Sequence, residues 1–219
     1  MNFSATEENY IKAIFHLQPD DENVTTNDVA AELKTKAASV TDMLKKLKAK
    51  KLLHYEKYRG FKLSAEGKKI ALTIIRKHRL WEFFLVEKLK FGWDEVHEVA
   101  EELEHITSKK LIDRIDEFLG FPKFDPHGDP IPDANGKMPE QQTIQLAAAA
   151  VNKSVQVIAV ANQSKELLDI ITHKKIGIGT KLQVRKQFDF DGSIEIKIKG
   201  EEGITLSKQL AEVLMVKVI

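Results

Sequence analysis

A short acidic segment holds four side chains that are typical metal ligands. His97, Glu101, Glu104 and His105 are spaced at i, i+4, i+7 and i+8. An α-helix turns by about 100° per residue, so this spacing places all four side chains along one side. Burying two imidazoles and two carboxylates together is costly without a cation, and nitrogen and oxygen donors suit a divalent metal. The segment therefore predicts a metal site.

A second pair of candidate ligands precedes this segment. His78 and Glu82 lie one helical turn apart in a stretch whose apolar pattern predicts a long helix beginning at Ser64. The chain has no cysteine, which excludes thiolate zinc sites and disulfides. The candidate ligands are therefore histidines and carboxylates.

The composition is that of a globular protein without a membrane segment. With 219 residues the chain can form one large domain or two small ones. It has no apolar run of about 18 residues, the length that a transmembrane helix needs. Residues Met1 to Tyr10 lack the basic stretch of a signal peptide. We expect a cytoplasmic protein with no membrane partner.

The net charge of +1 conceals an uneven charge distribution. Residues 34–79 contain 15 Lys and Arg against 3 Asp and Glu, whereas residues 80–120 contain 11 acidic and 5 basic residues. This order indicates a polyanion-binding surface followed by a cation-binding one. The alternative interpretation of the basic stretch is a solvated lysine-rich helix.

The first 63 residues have the element order of a winged helix-turn-helix. Capping boxes at Ser4–Glu7 and Thr25–Asp28 open two helices, and a third carries Val40 and its apolar neighbours. Residues 52–63 then read as two short strands that turn at Arg59-Gly60. Helix, helix-turn-helix and hairpin together predict a winged helix-turn-helix domain.

In that fold, the third helix enters the major groove of DNA and the hairpin contacts phosphates or the minor groove. The candidate DNA-binding residues on the third helix are Lys36, Ser39, Thr41 and Lys45. Those on the hairpin are Lys57, Tyr58, Arg59 and Lys62. A winged helix used for protein contact is the alternative.

The rest of the chain predicts two further domains. Helices between Ser64 and Leu119 carry more bulky apolar residues than the core of a three-helix domain needs. Some of these residues are therefore expected to form a dimer interface. A proline-rich linker spans about 121–142, and short strands, with a turn at Asp191-Gly192, follow it. The predicted domains are 1–63, a winged helix-turn-helix; 64–140, a mainly α metal-binding and dimerisation domain with linker; and 141–219, a small all-β SH3-like barrel.

Taken together, the sequence resembles the diphtheria-toxin-repressor (DtxR/MntR) family of metal-dependent transcriptional repressors. The resemblance covers essentially the whole chain and is closest to the manganese-responsive branch that keeps a C-terminal SH3-like (FeoA-like) domain. The segments that carry it are Glu8-Asn9-Tyr10-Ile11, Ala38-Ser39-Val40-Thr41, Arg76-Lys77-His78-Arg79-Leu80, Glu101-Glu102-Leu103-Glu104-His105, Leu119-Gly120-Phe121-Pro122-Lys123 and Pro126-His127-Gly128.

The resemblance implies two metal sites. The primary site consists of Asn9, His78, Glu101, Glu104 and His105, where Asn9 stands in place of the family's usual acidic or thioether ligand. An amide oxygen can coordinate a hard cation but carries no charge. A set of oxygen and imidazole ligands suits Mn²⁺ without strongly excluding Fe²⁺.

The resemblance also implies a secondary site, built from Glu82, Asp125 and His127 with one ligand from the C-terminal domain. We expect that ligand to be Glu166, with Gln163 as the alternative. His97 matches an ancillary ligand of the iron-responsive branch, and the competing interpretation is a surface histidine.

The expected function is Mn²⁺-dependent repression of metal-uptake genes by a homodimer on a double-stranded DNA operator. Two alternatives remain, an iron-responsive repressor and a winged-helix regulator whose metal is purely structural. A metallohydrolase would need an open coordination position and a placed base. The sequence has no His-Glu-x-x-His motif, Gly-rich phosphate loop or nucleophile elbow, so an enzyme is not expected.

Overall fold

The structure is a computed structural model that describes residues 3–18, 22–56 and 59–219. Its helices are α1 Ala5–Leu17, α2 Thr26–Glu32, α3 Ala37–Ala49, α4 Ala65–Leu89, α5 Val96–Leu103, α6 Lys109–Phe118, α7 Lys165–His173 and α8 Lys208–Val213. Its strands are β1 Leu53–Glu56, β2 Gly60–Leu63, β3 Ile144–Gln145, β4 Ser154–Val160, β5 Lys181–Gln187, β6 Ile194–Ile198, β7 Gly203–Leu206 and β8 Leu214–Val218.

Helices α1 and α2 begin at the predicted capping boxes. The Ser4 hydroxyl accepts from the backbone N–H of Glu7, and the Glu7 carboxylate accepts from the backbone N–H of Ser4. Thr25 and Asp28 repeat the arrangement at α2. Each reciprocal pair satisfies two N–H groups that a helix start would otherwise leave unbonded. Local sequence thus determines where these helices start.

The winged helix-turn-helix order predicted for the N-terminal part is present. Helices α2 and α3 are joined by a short turn in which Lys34 has a φ of 48°. Strands β1 and β2 pair antiparallel with Leu53 opposite Leu63, and Val24 extends the pairing by bridging to Phe61. Apolar side chains from all these elements form one core, which includes Ile11, Ile14, Val29, Val40, Leu47, Leu52, Phe61, Leu63, Ala71 and Ile74.

The C-terminal part is an antiparallel sheet in the strand order β3-β8-β4-β5-β6-β7. Its inward-facing side chains, such as Val155, Val184 and Ile196, form a second core with α7 and α8. The sheet is open: in the part of the chain that the structure describes, the short strands β3 and β7 each pair on one side only. The predicted closed barrel is therefore replaced by a six-stranded open sheet.

The chain divides into two compact units. One comprises Met1–His78, Glu101–Asp113 and Pro132–Lys137, and the other comprises Arg79–Ala100, Arg114–Ile131 and Met138–Ile219. No helix among the described residues is long and apolar enough to cross a membrane.

Candidate metal centres and DNA-binding surface

Four of the five predicted primary ligands come together around the end of α5. We call this group, with Asn9 of α1, the primary cluster: Asn9, His78, Glu101, Glu104 and His105. His78 Nδ1 lies 2.7 Å from Glu104 Oε2 and 3.9 Å from Glu101 Oε1, and His105 Nε2 lies 4.0 Å from Glu104 Oε1. Helix α5 ends at Leu103, so Glu104 and His105 occupy the following turn rather than a continuing helix.

Glu104 is the most buried member of the primary cluster, with no exposed side-chain surface. Burial raises the pKa of its carboxyl group, but the hydrogen bond with His78 and the charge of Lys12 outweigh burial and bring the pKa below its usual value. Glu104 is therefore held as a carboxylate, the form that can bind a cation.

Two polar residues of α1 that were not predicted from the sequence contact the cluster. Lys12 Nζ lies 2.5 Å from Glu101 Oε1 and 2.7 Å from Glu104 Oε1. Glu8 Oε2 lies 2.6 Å from His105 Nδ1. Glu8 and Lys12 are one helical turn apart on either side of the predicted ligand Asn9, and this spacing was the signal available in the sequence.

Asn9 has a feature that fits a ligand role. Its Oδ1 atom is buried and has no hydrogen-bond partner in the described part of the chain. A buried carbonyl oxygen without a partner is energetically unfavourable unless a donor or cation satisfies it. A cation held by the primary cluster would satisfy this oxygen, so Asn9 stays the predicted ligand of α1.

Three predicted secondary ligands form a second group, which we call the linker cluster: Glu82, Asp125 and His127. One ligand atom of each lies within 4.8 Å of the others, and all three residues are buried. His127 Nδ1 is 3.7 Å from Glu82 Oε2. The Asp125 Oδ2 and His127 Nδ1 atoms are buried and have no hydrogen-bond partner among the described residues. Two such ligand atoms in one turn, close to the Glu82 carboxylate of α4, fit a divalent cation.

Hydrogen bonds outside the linker cluster orient its donor atoms. Asp125 Oδ1 accepts from the backbone N–H groups of His127 and Asp129, at 2.8 and 2.9 Å, which leaves Oδ2 for another partner. His127 Nε2 lies 2.6 Å from the carbonyl oxygen of Trp93, so the ring donates there and its Nδ1 lone pair remains available. Metal-binding histidines in proteins are commonly oriented by such a bond.

The linker cluster carries an excess of negative charge. Burial, followed by the charges of Glu82 and Asp129, raises the pKa of Asp125 to about 7. The nearest cation is Arg79, whose Nε lies 3.7 Å from Asp125 Oδ2 and whose guanidinium also pairs with Asp129. Burial lowers the pKa of His127, but Glu82 and Asp125 outweigh it and raise the pKa overall. A divalent cation would stabilise the ionised carboxylates.

The remaining predicted secondary ligands lie less centrally. His97 has half of its side chain exposed, and its Nδ1 lies 3.4 Å from Glu82 Oε1. Glu166 is exposed on α7, and none of the contacts described for the linker cluster involves it. Gln163 instead donates a hydrogen bond of 2.8 Å to Asp129. The ligand expected from the C-terminal domain therefore stays a prediction.

Six of the eight predicted DNA-binding residues lie in the described part of the chain, on α3, at its N-cap or in the hairpin. Lys36, Ser39, Thr41 and Lys45 are all exposed, whereas Val40 is buried beneath them. Arg59 is exposed and Lys62 is partly exposed; Lys57 and Tyr58 lie outside the described residues. A groove of about 580 Å³ separates α3 from the hairpin and is lined by Thr25, Thr26, Asn27, Thr41, Leu44, Lys45, Lys48, Leu53, Tyr55, Arg59, Gly60 and Phe61.

Two family models match the chain in succession. Residues 2–61 match the model described as the N-terminal DNA-binding domain of iron-dependent repressors. Residues 64–133 match the model described as the metal-binding and dimerisation domain of the same repressors.

Among curated proteins, the iron-dependent repressor IdeR of Mycobacterium leprae is 26% identical over 97% of this chain and 96% of its own length. The HTH-type transcriptional regulator MntR of Oceanobacillus iheyensis is 36% identical over 54% of this chain and 80% of its own length.

Solved structures extend the similarity to the C-terminal part. One described as a manganese-dependent transcriptional repressor in complex with manganese is 32% identical, covers 97% of this chain and 100% of its own, and has a TM-score of 0.86. The repressor ScaR with bound Cd²⁺ is 30% identical over 97% of this chain and 99% of its own, with a TM-score of 0.81. The chain therefore belongs to the diphtheria-toxin-repressor (DtxR/MntR) family of metal-dependent transcriptional repressors.

Proposed function

We propose that the chain is a Mn²⁺-responsive repressor that binds a double-stranded DNA operator as a homodimer in the cytoplasm and controls metal-uptake genes. The observation that supports the metal assignment is the linker cluster, in which buried Asp125 Oδ2 and His127 Nδ1 have no hydrogen-bond partner among the described residues. Oxygen and imidazole donors without thiolates suit Mn²⁺, and Fe²⁺ is the alternative. A solved relative described as containing manganese supports the first choice.

The DNA-binding role is argued from α3 and the hairpin. The exposed α3 side chains Lys36, Ser39, Thr41 and Lys45 have the positions from which a recognition helix contacts base edges and phosphates. Arg59 and Lys62, together with Lys57 and Tyr58, supply a hairpin that can contact the backbone. Phosphate contacts of this kind provide affinity that decreases with salt.

A homodimer is argued from apolar side chains left exposed within the matched dimerisation domain. Phe118 and Leu111 of α6 are 64% and 40% exposed, and the Phe118 ring lies 6.5 Å from that of Phe84. Adjacent apolar side chains with this exposure are typical of a surface that another protein covers. A second copy of the chain would place two recognition helices on a two-fold symmetric operator.

Bound metal would supply positive charge that joins donors of α1 to those of α4 and the turn after α5. The residues that would hold it in the primary cluster are Asn9, His78, Glu101, Glu104 and His105. Those of the second centre are Glu82, Asp125 and His127, with His97 and Glu166 as further candidates. If bound metal favours the arrangement that binds DNA, the metal must also bind more tightly when DNA is present.

We further propose the functional division 1–63 for DNA binding, 64–140 for metal binding and dimerisation, and 141–219 for a domain related to the SH3-like type. The second candidate function is a winged-helix regulator whose metal is only structural. It is favoured by Asn9, because a neutral amide weakens the electrostatic link between α1 and a cation.

Selection of bound duplexes from a random DNA library, at fixed salt, separates these functions. One arm contains Mn²⁺ and the other contains EDTA. The proposed repressor enriches a palindrome in the Mn²⁺ arm only. Equal enrichment of the same sequence in both arms identifies a structural metal. No enrichment in either arm, or in a third arm that contains Fe²⁺, contradicts a DNA-binding role. The variant Lys36→Ala, tested beside Asp189→Ala in the C-terminal sheet domain, assigns the binding to α3.

A further inference from the structure

The primary cluster already contains a cation of its own, the ammonium group of Lys12. Lys12 follows Asn9 by three residues and so lies nearly one turn further along α1. Its Nζ atom lies 2.5 Å from Glu101 Oε1 and 2.7 and 2.8 Å from the two carboxylate oxygens of Glu104. The side chain is 12% exposed and that of Glu104 is fully buried. These contacts are buried, charge-assisted hydrogen bonds, which are stronger than surface ion pairs.

The position of Lys12 matters because it uses the same oxygens that a metal needs. Both oxygens of Glu104 and one of Glu101 are bonded to a single ammonium group. A divalent cation placed among these oxygens would lie a few ångströms from Nζ, and in a buried site such like charges repel strongly. Metal can bind there only if the lysine side chain moves away.

The rest of the primary cluster does not supply compensating negative charge. At the α1 position, Asn9 offers a neutral oxygen. Glu8, the nearest carboxylate of α1, is bonded to His105 Nδ1 at 2.6 Å and lies 3.7 Å from the ammonium of Lys77. The ammonium groups of Lys12 and Lys77 thus face three carboxylates, those of Glu8, Glu101 and Glu104. Most of the negative charge is therefore neutralised within the protein.

The linker cluster has the opposite character. Within the described part of the chain, its ligand atoms Asp125 Oδ2 and His127 Nδ1 have no hydrogen-bond partner, and Arg79 forms an ion pair with Asp125 Oδ2 at 3.7 Å without a hydrogen bond. Arg79 is engaged elsewhere, since it donates a 2.5 Å hydrogen bond to the carbonyl oxygen of Pro130. A metal entering this cluster displaces no bonded ammonium group.

We propose that Lys12 is a resident cation of the primary cluster that competes with divalent metal for Glu101 and Glu104, so that the linker cluster takes up metal first. Lys12 thereby joins α1 to the turn after α5 at low metal concentration, and it sets the concentration at which the primary cluster responds. This inference rests on the proposed metal-dependent function, but it concerns the order and affinity of metal binding, which are measurable without DNA.

The test is calorimetric titration of the full-length protein with MnCl₂ in the absence of DNA. The wild-type protein should show a tighter and a weaker binding step. Asp125→Asn should remove the tighter step, and Glu104→Gln should remove the weaker one. The proposed order would be overturned if Asp125→Asn removed the weaker step and Glu104→Gln the tighter one, or if neither substitution removed a single step.

The competition itself is tested with Lys12→Gln and Lys12→Arg. Lys12→Gln should tighten the weaker step at least about tenfold, equivalent to about 1.4 kcal/mol, and adding Glu104→Gln should abolish that gain. Lys12→Arg keeps the positive charge and should leave the step no tighter than in the wild type. Lys50→Gln is the matched control, because it removes an ion pair outside the cluster, between Lys50 at the end of α3 and Glu7 of α1.

Circular dichroism of each variant establishes folding before titration. If Lys12→Gln does not fold, the order of the two wild-type steps and the behaviour of Lys12→Arg still decide the proposal. A weaker step that is unchanged within twofold in folded Lys12→Gln, or tightened equally by Lys50→Gln, would refute competition by Lys12. A failure of metal-dependent DNA binding would instead show as unchanged DNA affinity with two intact metal steps.

Discussion

Individual donor atoms distinguish the two candidate metal centres. In the primary cluster, the oxygens of Glu104 are bonded to Lys12 and His78. In the linker cluster, hydrogen bonds to Trp93 and to backbone N–H groups orient His127 and Asp125, while one atom of each has no hydrogen-bond partner among the described residues. The same residue types thus form one internally neutralised centre and one that carries excess negative charge.

The neutral ligand position in α1 leads to a prediction for Asn9→Asp. The substitution introduces a carboxylate at a buried oxygen that has no partner. Because a charged oxygen attracts Mn²⁺ far more strongly than an amide, we expect the affinity of the primary cluster to rise at least about tenfold. Calorimetry measures this affinity. Asn27→Asp, which adds the same charge at the start of α2, should leave it unchanged, and an equal rise in both variants would contradict the assignment of Asn9.

The grouping of the candidate ligands was largely predictable from the sequence, whereas their ion-pair partners were not. Spacing and family resemblance predicted His78, Glu101 and Glu104 as ligands, and the structure brings these side chains together. The role of Lys12 could not be predicted, because it depends on the approach of α1 to Glu101, a residue 89 positions away in the chain. Sequence patterns specify helix faces, but tertiary packing decides which side chains share a site.

Among the secondary-structure elements, the helix-turn-helix is the most strongly determined by local sequence. Its capping box at Thr25 and Asp28 was recognisable from sequence and is present. The β-rich C-terminal part was less predictable: the sequence predicted four of its six strands but neither β3 nor β7, and the expected closed barrel is an open sheet. A sheet closes into a barrel only if its edge strands, such as the two-residue β3, pair with each other. These strands are far apart in the chain, and no local pattern specifies their pairing.

The capping box predicts the effect of Thr25→Ala on stability. The Thr25 hydroxyl accepts from the N–H of Asp28 and donates to its carboxylate at 2.7 Å. Loss of this cap should lower the free energy of unfolding by about 1 kcal/mol in urea denaturation. Thr35→Ala, at an exposed threonine before α3, is the control and should change stability by less than about 0.5 kcal/mol.

The same cap has a pH dependence with a defined sign. Hydrogen bonds from the Thr25 side chain and backbone lower the pKa of Asp28. A lowered pKa in the folded state stabilises the fold above the unfolded-state pKa, and this contribution is lost as pH falls through the folded-state pKa. The stability difference between wild type and Thr25→Ala should therefore shrink in acid below that pKa. A difference that grows in acid would contradict this explanation.

For the whole molecule, the proposed homodimer predicts that Phe118→Glu disrupts assembly. Phe118 is 64% exposed beside Phe84, and a buried charge at an apolar interface is unfavourable. Analytical ultracentrifugation should show a shift from dimer to monomer, with operator affinity at least about tenfold weaker because both half-sites are no longer bound together. Phe190→Glu, at the fully exposed tip between β5 and β6, is the matched control. If both variants remain dimeric, the surface around Phe118 is not the interface.

Metal-dependent DNA binding is tested most directly by fluorescence anisotropy of a selected palindromic duplex, titrated with wild-type protein at fixed salt in Mn²⁺ or in EDTA. A coupling of about 1–3 kcal/mol predicts that Mn²⁺ lowers the Kd for DNA by about 5–150-fold. Linkage requires that the duplex tighten Mn²⁺ binding by the same factor, which a Mn²⁺ titration of the complex measures. Equal Kd values in Mn²⁺, Fe²⁺ and EDTA would contradict metal-controlled repression and leave the metal a structural role.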